Sequence, residues 1–182
     1  MQRYVAFLRA INVGGRTVRM DQLRALFEAL RLGRVETFIA SGNVIFDSRS
    51  NDPDELERRI ERRLEESLGF GVATFIRTPD ELAAIAAHRP FLDGGPAEPA
   101  HRLYVGFLKS TATEEAWRKL AGHRTATDDF DLRARELYWL CRTRTSDSAV
   151  SGAVLERTLG APATFRNITT VRKLADKYAP PR

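Results

Sequence analysis

An α+β fold built from two similar βαββα halves is what this 182-residue sequence predicts. Three observations point there. Strand-like and helix-like segments follow in the same order in both halves of the chain, one stretch rich in proline and glycine divides them, and a short strand sequence recurs across the divide.

The first half opens with residues 3–9, RYVAFLR, whose aromatic and β-branched content favours a strand. A polar, glycine-bearing loop runs from Ile11 to Arg19. Over residues 20–32, Met20, Leu23, Leu26, Phe27 and Leu30 form one apolar stripe at helical spacing, and Gly33 stands where a C′ residue belongs. Residues 35–39 and 44–47 read as strands joined by a Ser41-Gly42-Asn43 turn. Asn51-Asp52-Pro53 supplies a cap and a proline at the first helical position. Leu56, Ile60, Leu64 and Leu68 line the buried face of that helix, and Gly69 ends it. Residues 72–77 form a strand, and Thr78-Pro79-Asp80-Glu81 is a capping box for a short helix to about Ala87.

Residues 88–101 carry Pro90, Gly94, Gly95, Pro96 and Pro99, and divide the chain into a first half over 1–87 and a second over 102–182. Beyond them the order returns. A strand at 102–109 is followed by a helix capped by Thr111 and Glu114 and ending at Gly122. A hairpin at 129–134 and 136–141 turns near Arg135. Helices follow over about 148–159, closed by Gly160, and about 170–179. The stretch Tyr4-Val5-Ala6-Phe7-Leu8-Arg9 matches Tyr104-Val105-Gly106-Phe107-Leu108-Lys109. Together with the element order, that match predicts a duplicated βαββα(β) unit of ferredoxin-like type.

The single cysteine, Cys141, excludes an intrachain disulfide and suits a reducing compartment. Its neighbours Tyr138, Trp139 and Leu140 make it a small core residue. The N-terminus runs straight into a strand without an apolar leader, and no apolar run approaches the ~18 residues that span a bilayer. The expected location is the cytoplasm, with no membrane partner.

The net charge is +5, and its distribution says more than its total. Residues 1–19 hold +4, residues 133–145 hold +3 and residues 161–182 hold +4, so the remainder is −6. Basic excess confined to segments favours an anionic partner. Topology adds a place for it. In a βαβ unit the strands at 3–9 and 35–39 are parallel neighbours and end at one sheet edge. The Ile11–Arg16 and Ser41–Asn43 loops should therefore meet there, with Arg9, Arg16 and Arg19 close by. Glycines permit close backbone approach, and asparagine offers both donor and acceptor. Ahead of the last helix, Arg166 and Asn167 add a guanidinium and a possible cap at a helix N-terminus, which suits an anion. Each feature is also ordinary turn or cap chemistry; predicted adjacency is what raises the loops above it.

Several chemistries are missing. There is no GxxxxGK[ST] loop, no GxGxxG run and no GxSxG elbow. His88, His101 and His123 are too scattered for a zinc pattern, and Asp128, Asp129 and Asp131 read as a solvated strand start. Neither a metal nor a cofactor is expected.

In Leu8-Arg9-Ala10-Ile11-Asn12-Val13-Gly14-Gly15, Ser41-Gly42-Asn43-Val44-Ile45-Phe46 and Thr164-Phe165-Arg166-Asn167-Ile168-Thr169-Thr170-Val171, the chain resembles a bacterial family known as domain of unknown function 1697. That family's pattern reads approximately LRGINVGG, TYIQSGNVVF and TxRNWNTV. Here Ala10 replaces the usual glycine, and Ile168-Thr169 replaces the usual Trp-Asn. The resemblance implies a two-lobed α+β fold with ferredoxin-like halves and brings no activity.

The function expected first is binding of an anionic, phosphate-bearing ligand, a nucleotide or RNA, by Arg9, Asn12, Gly14, Gly15, Ser41, Asn43, Arg166 and Asn167. A transferase-like enzyme using the same rim is a second reading, weakened by the lack of an evident base or nucleophile. A structural module that dimerises through an edge strand is the third.

Overall fold

In the computed structural model, which describes residues 1–91 and 101–179, the chain folds as two four-stranded antiparallel sheets, each with its own helices. It divides into one unit of Met1–Leu82 with Tyr178–Arg182 and another of Ala83–Lys177. The proline- and glycine-rich connection expected over 88–101 falls mostly outside the described residues.

The first unit contains β1 (Gln2–Leu8), α1 (Met20–Glu28), β2 (Gly33–Phe38), β3 (Asn43–Ser48), α2 (Pro53–Leu68), β4 (Thr74–Arg77) and the start of α3 (Pro79–Ala87). Its strand order is β2-β3-β1-β4. The second holds β5 (Arg102–Phe107), α4 (Glu114–Ala121), β6 (Asp128–Arg133), β7 (Glu136–Cys141), α5 (Gly152–Leu159) and β8 (Thr164–Asn167), followed by α6 (Ile168–Tyr178). Its order, β6-β7-β5-β8, is the same pattern. Both halves are ferredoxin-like βαββαβ units, and the recurring strand sequence falls on β1 and β5, the equivalent inner strands.

Alternation along each strand builds the cores. In the first unit Tyr4, Ala6 and Leu8 pack with Val44 and Phe46 against Leu23 and Phe27 of α1 and Leu56, Ile60 and Leu64 of α2. In the second, Trp139 and Cys141 of β7 pack with Phe130, Leu120 and Leu155. The helix starts are capped in part as their sequences dictate. Asp52 accepts the Glu55 N–H at 3.0 Å ahead of Pro53. Thr78 and Glu81 exchange bonds in a reciprocal box, at 3.2 Å and 2.8 Å.

The structure differs from the sequence reading at several boundaries. The helix expected over 20–32 ends at Glu28, because Leu30 N and Arg31 N turn to the carbonyls three residues back. Gly33 opens β2 instead of closing the helix. Thr113, not Thr111, caps α4, accepting the Ala116 N–H at 3.1 Å. The helix expected from 148 begins at Gly152 behind a Ser151 cap, after a single 3-10 turn at Thr145–Asp147. The strands β1 and β2 run parallel but are not neighbours: β3 lies between them, antiparallel to both. Because β2 and β3 are joined by a short turn, β3 folds back on β2 and takes the place beside β1. Both β1 and β2 still end at the same sheet edge, where Phe7 and Phe38 each lie opposite Asn43.

Candidate functional site

At that edge the two loops are bound into one piece. Leu8 N donates to Gly42 O at 2.8 Å. The Asn12 side chain bridges further out, donating from Nδ2 to Ala40 O at 3.0 Å and accepting the Val18 N–H on Oδ1 at 2.7 Å. Asn43 is fully buried and donates from Nδ2 to Phe38 O and to Ser41 Oγ, both at 2.9 Å. Gly42 has φ 77°, and a Cβ there would meet Ile11 Cγ2 at 2.6 Å, so a side chain would force the loops apart.

Beyond Asn12 the chain makes a tight turn, closed by Arg16 N donating to Val13 O at 3.2 Å. Its central residues, Gly14 and Gly15, have φ of 63° and 80°, the left-handed pair of a type I′-like turn. Their backbone N–H groups have no partner among the described residues, and open space surrounds the positions a Cβ would take. Arg9, Arg16 and Arg19 are exposed. The Arg16 guanidinium lies 4.4 Å from the Phe70 ring centroid. Arg19 pairs with Asp21, whose carboxyl is held below its ordinary value chiefly by that hydrogen bond. Val13 and Ile39, one on each loop, are 55% and 53% exposed, unusual for large apolar residues in this chain.

The structure thus brings together Arg9, Asn12, Gly14, Gly15, Ser41 and Asn43 of the expected set. Arg166 and Asn167 belong to the other unit and have duties within it. Arg166 is 8% exposed on β8; its Nη1 donates to Thr164 Oγ1 and Phe165 O, each at 2.9 Å. Burial pushes its guanidinium down to about 10, which leaves it charged at neutral pH. The Asn167 side chain accepts the Thr169 N–H at 2.9 Å at the start of α6.

Sequence reasoning missed the polar centre of the second unit. Asp128 is not a solvated strand start. Only 1% exposed, it accepts bonds from Trp139 Nε1 and Thr127 Oγ1 at 2.8 Å, Ser148 Oγ at 2.9 Å and Thr125 Oγ1 at 3.3 Å. Burial pushes its carboxyl up, but these four hydrogen bonds outweigh it and the net shift is downward. Cys141 is a buried core residue whose thiol is pushed up by the same loss of water. His88 accepts from Arg133 on Nδ1 at 2.9 Å and so donates from Nε2 to Asp131 at 3.1 Å. With Asp129 paired to Arg124 at 3.0 Å, the aspartates are engaged in protein contacts. No group of metal-ligating side chains occurs among the described residues.

A duplicated ferredoxin-like α+β protein with two loops clamped at one sheet edge is therefore the class that fold and rim define. The chain belongs to the family described as protein of unknown function (DUF1697), whose pattern matches residues 1–138. It is also similar to the solved structure of a conserved bacterial protein from Streptococcus pneumoniae, at 20% identity and a TM-score of 0.73, over 96% of this chain and 97% of that one. At that identity the likeness is one of fold. No curated protein matches the chain. Among the described residues, no helix is long and apolar enough to cross a membrane.

Proposed function

We propose that the rim of the first unit binds an anionic, phosphate-bearing ligand, a nucleotide or a short stretch of RNA. The observation that carries this reading is the Val13–Arg16 turn: two adjacent glycine N–H groups, unpartnered among the described residues, with open space where each Cβ would stand, on a loop that Asn12 fixes in place. Backbone N–H groups in such a turn form a concavity suited to phosphate oxygens. Arg9 and Arg16 add the charge, and Ser41, oriented by Asn43, adds a hydroxyl. Asn12 and Asn43 act as positioning residues, since their amides hold the loops. Arg166 and Asn167, engaged in their own strand and helix, have no part in this proposal. The reading sets the protein in the cytoplasm, consistent with one buried, unpaired cysteine.

Charge-assisted hydrogen bonds contribute roughly 1.5–3 kcal/mol each, against association costs of about 4 kcal/mol or more. The affinity should be modest, on the order of micromolar for a nucleotide. Fluorescence anisotropy with a labelled adenine nucleotide and a short labelled RNA tests the reading. Arg9→Ala and Arg16→Ala should each weaken binding about tenfold. Gly14→Ala, which strains the turn, should weaken it as well. RNA binding should fall steeply with added salt, and nucleotide binding less so. If neither probe binds, or if all three variants bind like the parent, the rim is not the site.

A further inference from the structure

The second unit carries a cleft between α4 and α5 with a volume of about 480 Å³, within the range of small-molecule sites. Lys119, His123 and Arg157 line it, against a single acid, Glu115. Ala116 and Leu159 supply an apolar wall. We propose that this cleft binds a small phosphate ester, independently of the rim.

The hydrogen bonds fix what each group offers. Thr158 Oγ1 donates to Val154 O at 2.9 Å, so its proton is committed. The 2.9 Å bond to His123 Nε2 must then run from the imidazole to the hydroxyl. The ring is held in one tautomer, and Nδ1 has no partner among the described residues. With Nε2 donating, Nδ1 is an acceptor, suited to the hydroxyl proton of a phosphate monoanion. Arg157, exposed in the last turn of α5, has no side-chain partner among the described residues. Lys119 is paired with Glu115 at 2.7 Å, one turn along α4. An anion therefore competes with Glu115 for the ammonium, while the guanidinium is ready to bind. A bare anion would leave the apolar wall unused; an ester with a small organic group covers it.

NMR titration of the intact protein with orthophosphate and with phenyl phosphate, at ionic strength matched with sodium chloride, tests the proposal. Saturable shifts should appear at His123, Thr158 and Arg157, with phenyl phosphate the tighter ligand. Arg157→Ala should weaken binding about tenfold, and Glu115→Gln should tighten it several-fold by freeing Lys119. Arg16→Ala, at the rim, should change nothing here, so failure of either site reads separately from failure of the other. Shifts that chloride reproduces, that never saturate, or that Arg157→Ala leaves intact would overturn the assignment.

Discussion

Asn12 and Asp128 illustrate how one polar side chain can organise a whole region. Asn12 uses both ends of its amide to tie the glycine turn to Ala40 and Val18, so the turn's geometry depends on it. Close by, Ala10 and Ile39 are held at φ of 54° and 51°. For residues bearing a Cβ that costs about 1–2 kcal/mol each, which explains why glycine suits position 10 in the resembling family. Strain of this kind persists where surrounding contacts over-determine it, and here those contacts are the bonds between the loops. Asp128 does comparable work in the second unit, with a measurable pH signature. Its carboxyl titrates below its ordinary value of 3.8 in the folded protein. The stability it contributes is therefore complete above the unfolded value, and is lost as pH falls through the folded one. Asp128→Asn should destabilise the protein by about 1–3 kcal/mol at neutral pH, since the amide cannot accept all the donors aimed at it. It should also flatten the acid limb below about pH 4. Urea unfolding over a pH series measures both. Parallel acid limbs in parent and variant would show that the carboxylate is not the titrating group.

Within the elements, the two halves share a way of finishing the sheet. β4 is an edge strand, and its outward N–H groups at Thr74 and Ile76 donate to Glu61 and Glu57 of α2, both at 2.8 Å. In the second half Glu156 of α5, the equivalent helix, takes the Ala163 N–H at 2.8 Å next to β8. An edge covered by carboxylates is closed to pairing with another chain, which argues against dimerisation through β4. The halves differ where the repeated strand sequence differs. Ala6 of β1 lies opposite Ile76, whereas Gly106 of β5 lies opposite Phe165. A Cβ at Gly106 would sit 2.6 Å from Phe165 Cε1, so the ring occupies the space a side chain would need. Gly106→Ala should therefore cost about 1–3 kcal/mol, and pairing it with Phe165→Leu should recover part of that. Chemical denaturation of the two variants checks this; a neutral single substitution would mean that the ring moves aside freely.

For the molecule as a whole, what the sequence disclosed followed from locality. The caps at Asp52 and Thr78 are set within four residues, and the duplication is visible because it is written twice, at Tyr4–Arg9 and Tyr104–Lys109. The meeting of the Ile11–Arg16 and Ser41–Asn43 loops was legible for a topological reason that survives the insertion of β3, because β1 and β2 keep their common direction. Asp128 was misread because its partners Trp139 and Ser148 come from 11 and 20 residues away, a proximity no local pattern encodes. The α4–α5 cleft was invisible for the same cause: His123 and Thr158 are 35 residues apart. Duplication of the architecture has a dynamic consequence. In each sheet the inner strands, β3 and β1 or β7 and β5, have neighbours on both sides, whereas β2 and β6 have a strand neighbour on one side among the described residues. Amide exchange should accordingly find its slowest protons in two separate sets, around Val5–Phe7 with Val44–Phe46 and around Val105–Phe107 with Leu137–Leu140, with β2 and β6 exchanging faster. The outward amides of Thr74 and Ile76 should be protected more than an open edge would allow, because carboxylates hold them, and Glu57→Ala should release Ile76 selectively. If slow exchange were confined to one sheet, the two halves would share a topology without being equivalent in stability, and the symmetry of β1 and β5 would end at the level of sequence.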